Sequence, residues 1–211
     1  MKKPLLSFHG EQSIKDQHLA RLQMHADADE IVQGKYWQNG KGCDTGCSFH
    51  SADHGQWPLQ LGIPRIIGHL RDRIFEGLPN VNAKAFPLAC SNATPVGVDL
   101  DKVWRQFFVW LLVDDTEGVI KYVKNEDGRK AIQNIADAFV RSYENEVSYT
   151  EWFELRKTAR SYAADAAAYA AAYAAYAYAA YAAAADADAA ARKAKYIKMS
   201  EKLIELLQQA A

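Results

Sequence analysis

The stretch "LGIPRIIGHLRDRIFEGLPN", residues 61–80, is punctuated as a helix is. Pro64 suits a first helical turn, where its missing N–H goes unused and its fixed φ is already helical. Gly77 stops the helix just ahead of Pro79. The same signals recur on both sides. Ser13 is placed to cap a helix from Ile14 to about Gln33, with Leu19, Leu22, Ile31 and Val32 facing a core and Gly34 as its stop. Asp101 to Val113 contains VWRQFFVWLLV, among the most apolar runs in the chain, and Gly118 breaks it. "GVIKYV" reads as a short extended piece. Arg129 to Tyr143 is helical by spacing, with Ile132, Ile135, Ala136 and Phe139 on one face. No set of alternating strands competes, so the expected fold is all-α. A compact helical domain over 1–147 is followed by an alanine-rich segment, 148–211, forming one long helix or a helix pair.

That segment opens on Ser148-Tyr-Thr-Glu151, a capping-box sequence, and has no Pro or Gly afterwards. Alanine, the best helix former, dominates it. A continuous helix of that length would span roughly 90 Å, so a bend near 192–200 or a partner is expected, with SEKLIELLQQ as a separate last helix. Tyr162, Tyr169, Tyr173 and Tyr176 form a stripe on one face, and Tyr178 and Tyr181 begin another. The stripe suits packing on the N-terminal domain, a protein partner or a second copy of the chain.

Composition narrows the function classes. The 211 residues are 49% hydrophobic and 24% charged, with a formal net charge of −1. Such a balance gives no electrostatic reason to expect nucleic acid or an anionic membrane as partner. The opening MKKPLLSFHGEQS is too short in apolar residues for a signal peptide. The alanine tail carries Asp165, Asp186 and Asp188, which are costly in lipid. Three cysteines are too few for a disulfide scaffold, which points to a reducing, cytoplasmic setting.

The chemistry concentrates in GKGCDTGCSFHSADHG, residues 40–55. Cys43, Cys47, His50 and His54 are the ligand types zinc prefers, in the spacing C-x3-C-x2-H-x3-H. On one helix they would stretch over roughly 16 Å, too far for a single ion, but Gly46 allows the chain to fold back. His25 and Asp29, four apart on the first helix, can join them as further ligands or as an orienting pair. Zinc is therefore one expectation, with Cys43, Cys47, His50, His54, His25 and Asp29 as its residues. A nucleophile is the other. Cys47 near a helix N-terminus would have its thiol activated, with His50 or His54 as base. Tyr36, Trp37 and Trp57 bracket the segment and can wall a pocket for a small-molecule ligand. Asp72 and Glu76, with Arg71 and Arg73 beside them, read as a solvated or ion-paired helix face. Cys90 reads as a buried small hydrophobe.

Three segments carry a family likeness: GKYWQNGKGCDTGCSFHSADH (34–54), LGIPRIIGHLRDRIFEGLPN (61–80) and VDLDKVWRQFFVWLL (98–112). In these the chain resembles a family of hypothetical proteins of bacteria and phages, most specifically in KGC-x3-C-x2-HS and IFEGLPN. Many members end in an alanine-rich helical tail. The resemblance implies a shared site at His25, Asp29, Cys43, Cys47, His50 and His54, and a modulatory or defence-related role. It departs at Arg71, where relatives tend to be acidic. It names no activity. The expectations are a zinc-stabilised binding protein, a small cysteine-dependent hydrolase or transferase, or a protein that sequesters a small ligand.

Overall fold

The computed structural model describes residues 4–145, 147–155, 157–158 and 189–210. It is mostly helical, an all-α fold. The helices are α1 (Gln12–Asp27), α2 (Asp44–Phe49), α3 (Gln56–Leu61), α4 (Arg65–Gly77), α5 (Asn80–Ala93), α6 (Asp101–Val113) and α7 (Glu126–Arg141). A last helix runs over 189–208. Two-residue strands β1 (Trp37–Gln38) and β2 (Lys41–Gly42) pair antiparallel between α1 and α2. Among the described residues, no helix is long and apolar enough to cross a membrane.

Contacts divide the chain into two compact units, Met1–Trp104 with Arg192–Ala211, and Arg105–Ala191. The boundary at 147/148, by contrast, follows composition. In the first unit Phe8, Leu22, Trp57, Ile67, Ile74 and Phe75 are fully buried, as are Leu203 and Leu207 of the last helix. That helix docks where α4 lacks a side chain: a Cβ on Gly77 would lie 2.3 Å from the Tyr196 ring. In the second unit Phe108 stacks on Phe139 at 5.6 Å, and Trp152 lies 4.9 Å beyond.

Several expectations are corrected. The first helix starts after Glu11, not at a Ser13 cap, and ends at Asp27 rather than Gln33. Glu30 to Val32 leave it to bond Gly42, with Val32 N donating to Gly42 O at 2.9 Å and Gly42 N to Glu30 O at 3.0 Å. Residues 119–122 form a 3-10 turn, not an extended piece. The helix 189–208 runs unbroken through 192–200, and the Ser200 hydroxyl donates to Ile197 O at 2.7 Å within it, so SEKLIELLQQ is not a separate helix. The Ser148 cap is present, Glu151 N donating to its hydroxyl at 3.1 Å. The tail tyrosines Tyr162 to Tyr181 lie outside the described residues.

Candidate functional site

The cysteine segment is built on a hairpin. Asn39 and Gly40 both adopt positive φ (54° and 79°), the pairing that a two-residue turn with the strands' own twist requires. The hairpin turns the chain so that α2 lies against Tyr36. A Cβ on Gly46 would fall 1.5 Å from the Tyr36 carbonyl oxygen, so only glycine lets helix and strand approach this closely. The loop is then tied to the end of α4. The Gln33 amide donates to Phe75 O and Leu78 O at 2.7 and 2.9 Å, and Gly34 N donates to the Glu76 carboxylate at 2.9 Å.

Two histidine sites flank α2. At its C-terminal end, His50 closes the helix in the left-handed region (φ 53°, ψ 37°), a conformation that costs a residue with a Cβ. This turn brings its ring onto Trp37, stacked at 4.2 Å and 11°, and its Nε2 within 3.0 Å of His25 Nε2. His25 is buried, and its Nδ1 donates to Glu30 Oε2 at 2.6 Å. With Glu30 as carboxylate and both rings neutral, the chain of bonds fixes the tautomers. His25 carries its proton on Nδ1, so its Nε2 accepts from His50 Nε2–H, and the His50 Nδ1 lone pair is left for solvent or a ligand. Partial burial holds His50 below the usual imidazole range, reinforced by His25 and Arg21, so the exposed ring is a neutral base near pH 7.

At the other end, Asp72 receives Thr45 N at 3.3 Å, the Thr45 hydroxyl at 3.0 Å and His54 Nε2–H at 2.6 Å. Trp57 Nε1–H donates to the same hydroxyl at 3.1 Å. His54 is buried and stacks at 3.9 Å on the exposed His69, whose pKa is lowered by desolvation and by the His54 charge. Tyr36 stands edge-on to His54 at 5.8 Å. Two consecutive residues, Tyr36 just ahead of β1 and Trp37 at its start, therefore serve the two sites.

Beneath α2 lies a buried ion pair. Arg71 and Asp44 are both 0% exposed and meet in a two-point contact, Nε to Oδ2 at 2.7 Å and Nη2 to Oδ1 at 2.9 Å. Arg71 also donates to Pro87 O and Ser91 Oγ, each at 3.1 Å, and covers the Trp57 ring at 4.5 Å. Burial pushes the Asp44 carboxyl up, and the Arg71 charge pulls against it. Ser91 Oγ reaches His18 Nε2 at 3.0 Å.

Burial, with the Arg71 and Arg21 charges, lowers His18 to about 3. The unfolded chain takes up a proton there below about pH 6.5 and the native protein does not, so stability falls as pH drops from 6.5 toward 3. The expected loss from this group is about 1.4 kcal/mol per pH unit in that window. Urea titrations of the wild type and His18→Gln at several pH values check it, the variant giving a shallower slope. Equal slopes would remove His18 from the account.

The six residues expected to share an ion are thus divided. His25 and His50 meet directly. His54 meets Asp72. Asp29 is exposed and pairs with Lys84, because α1 has ended before it. Cys43 is buried ahead of α2, its thiol raised by desolvation and the Asp72 charge despite hydrogen bonds from the Gly46 and Thr45 backbone. Cys47 is fully buried, donates to Gly42 O at 3.3 Å, and is pushed up to about 12 by burial. A thiol held in this way is a weak nucleophile near neutral pH. Among the described residues, no group of three or more His, Cys, Asp or Glu side chains is arranged to hold a metal ion. No known protein family, curated protein or solved structure matches this chain. Glu30 is the residue that the sequence reading did not include, and Arg71 and Asp72, expected on a solvated or ion-paired helix face, are instead buried and bonded to α2. Glu30 left only a weak signal, as one of two further carboxylates, with Asp27, within five residues of His25.

Proposed function

We propose that the protein is a small hydrolase or transferase in which His50 acts as general base. The observation that carries this is the chain from Glu30 Oε2 through His25 to His50, with contacts of 2.6 and 3.0 Å. It resembles in logic any carboxylate–imidazole pair that orients a base and disperses the charge it gains. Here a second imidazole is interposed. When His50 Nδ1 takes a proton from water or a substrate hydroxyl, its Nε2 proton can pass to His25 Nε2, leaving positive charge beside Glu30. Trp37 supports the His50 ring from one face, and Cys47 serves packing rather than attack.

Long-range proton–nitrogen NMR of the histidine rings tests the arrangement in the whole chain. The expected result is His25 protonated on Nδ1, His50 on Nε2, and neither paired nitrogen bound to metal. A panel of activated carboxylate and phosphate esters tests the chemistry. His50→Gln should lower kcat/KM by about 10²–10⁴-fold, the usual contribution of a positioned base. Glu30→Gln, which acts through His25, should lower kcat more than it raises KM. No turnover by the wild type, an unaffected His50→Gln, or one zinc per chain seated between His25 and His50 would overturn the proposal. The last outcome would restore the metal expectation instead.

A further inference from the structure

The His50 site also has a cation at its rim. Arg21 precedes His25 by four residues on α1, so the two side chains project from one side of the helix. One Arg21 N–H donates to the carbonyl of Ser48 at 2.6 Å, two residues before His50. This contact pins the guanidinium at the end of α2 beside the base, while the residue as a whole stays exposed. A cation capping a helix C-terminus is a familiar stabilising device and needs one or two donors. Arg21 has five, in a planar fork that matches an oxyanion.

The neighbouring acids are already engaged. Glu30 accepts from His25, Asp29 pairs with Lys84, and Asp53 accepts from Gly55 N and the Gln56 amide. Lys41, exposed, donates to Asp29 O at 3.4 Å and adds a further positive charge on the same loop. We propose that this site takes an anionic substrate, a molecule carrying a phosphoryl or carboxylate group that the free edge of Arg21 binds next to His50. The proposal deepens the general-base reading and rests on it for the word substrate. Anion binding itself does not. The lowered His50 pKa agrees, since a neutral base beside a fixed cation leaves the anion to be recognised by Arg21.

The test is a titration of the full-length chain, labelled at histidine nitrogen, with inorganic phosphate and separately with acetate. Sodium chloride at matched ionic strength is the control. The expected result is a saturable shift of the His50 ring signals with phosphate, acetate or both, whichever group the site accepts. Arg21→Gln should weaken that binding at least about tenfold, or about 1.4 kcal/mol, while preserving the tautomer pattern and the circular dichroism spectrum. Arg21→Lys should recover part of it, because charge returns without the fork. Anions that leave His50 unmoved, or that bind Arg21→Gln as well as wild type, overturn the inference. The two readings fail separately. A wild type with the expected tautomers and no anion response rejects only this one. Arg21-dependent binding without those tautomers rejects only the base.

Discussion

Replacing Asp44 by alanine is expected to destabilise the protein by about 3–5 kcal/mol, the range found when one partner of a buried ion pair is removed. Asp44 and Arg71 are both fully enclosed, so the variant leaves a buried guanidinium without its hydrogen-bonded counter-ion, with the Asp72 charge acting on it only at longer range. Pro87 O, Ser91 Oγ and the face of Trp57 remain to Arg71, and none carries a full negative charge. The pair itself need not be strongly stabilising. Two charges withdrawn from water recover in attraction roughly what they lose in hydration. The double variant Asp44→Ala with Arg71→Met should therefore lie well above Asp44→Ala alone. Urea unfolding midpoints of the two variants check this, and an Asp44→Ala loss below about 1 kcal/mol would show the charge reaching water. The effect extends to the site, because Asp44 opens α2 and His50 closes it.

That pair also shows where sequence reasoning stops. The helix over residues 65–77 is legible because Pro64, Gly77 and Pro79 bound it locally. Nothing local says that Arg71 and Asp72 are inside. Their burial depends on α2 and α5 closing over α4, and in sequence a charged triplet on a helix suits solvent equally well. Helix α5 was illegible for the opposite reason: Pro87 lies within it, and a proline in that position ordinarily argues against a helix. The end of α1 is set by distant pairing. No glycine or proline follows Asp27 until Gly34, and the chain departs because Glu30 and Val32 bond Gly42. This departure decides the site, since it removes Asp29 from His25 and supplies Glu30 instead. The histidines were legible by residue type and their partners were not. One signal was available in full: Gln38-Asn-Gly-Lys41 is a hairpin sequence, and it explains why the cysteine segment turns where it does.

Replacing Gly46 by alanine should be the most damaging single-methyl change in this region, costing roughly 4 kcal/mol or more. The added Cβ would lie 1.5 Å from the Tyr36 carbonyl oxygen and 2.6 Å from its carbon, both backbone atoms. No rotamer change relieves such a contact. Either α2 lifts away or the strand does, and both movements break the site. Lifting the strand pulls Trp37 off His50 and Tyr36 off His54. It also strains the bonds from Cys43 N to Lys35 O and Tyr36 O, at 2.8 and 3.2 Å. Lifting α2 opens the Asp44–Arg71 pair and parts Thr45 from Asp72. Gly40→Ala is the control: it lies at positive φ, but the nearest atom to its Cβ, Glu30 Oε1, is 3.7 Å away, so its cost is conformational only and about 1 kcal/mol. Melting curves of the two variants should therefore separate widely, with Gly46→Ala alone losing the near-ultraviolet signal of the packed tryptophans. If the two melt together, the approach of α2 to Tyr36 is looser than 1.5 Å implies, and the histidine sites on either side of it lose their common frame.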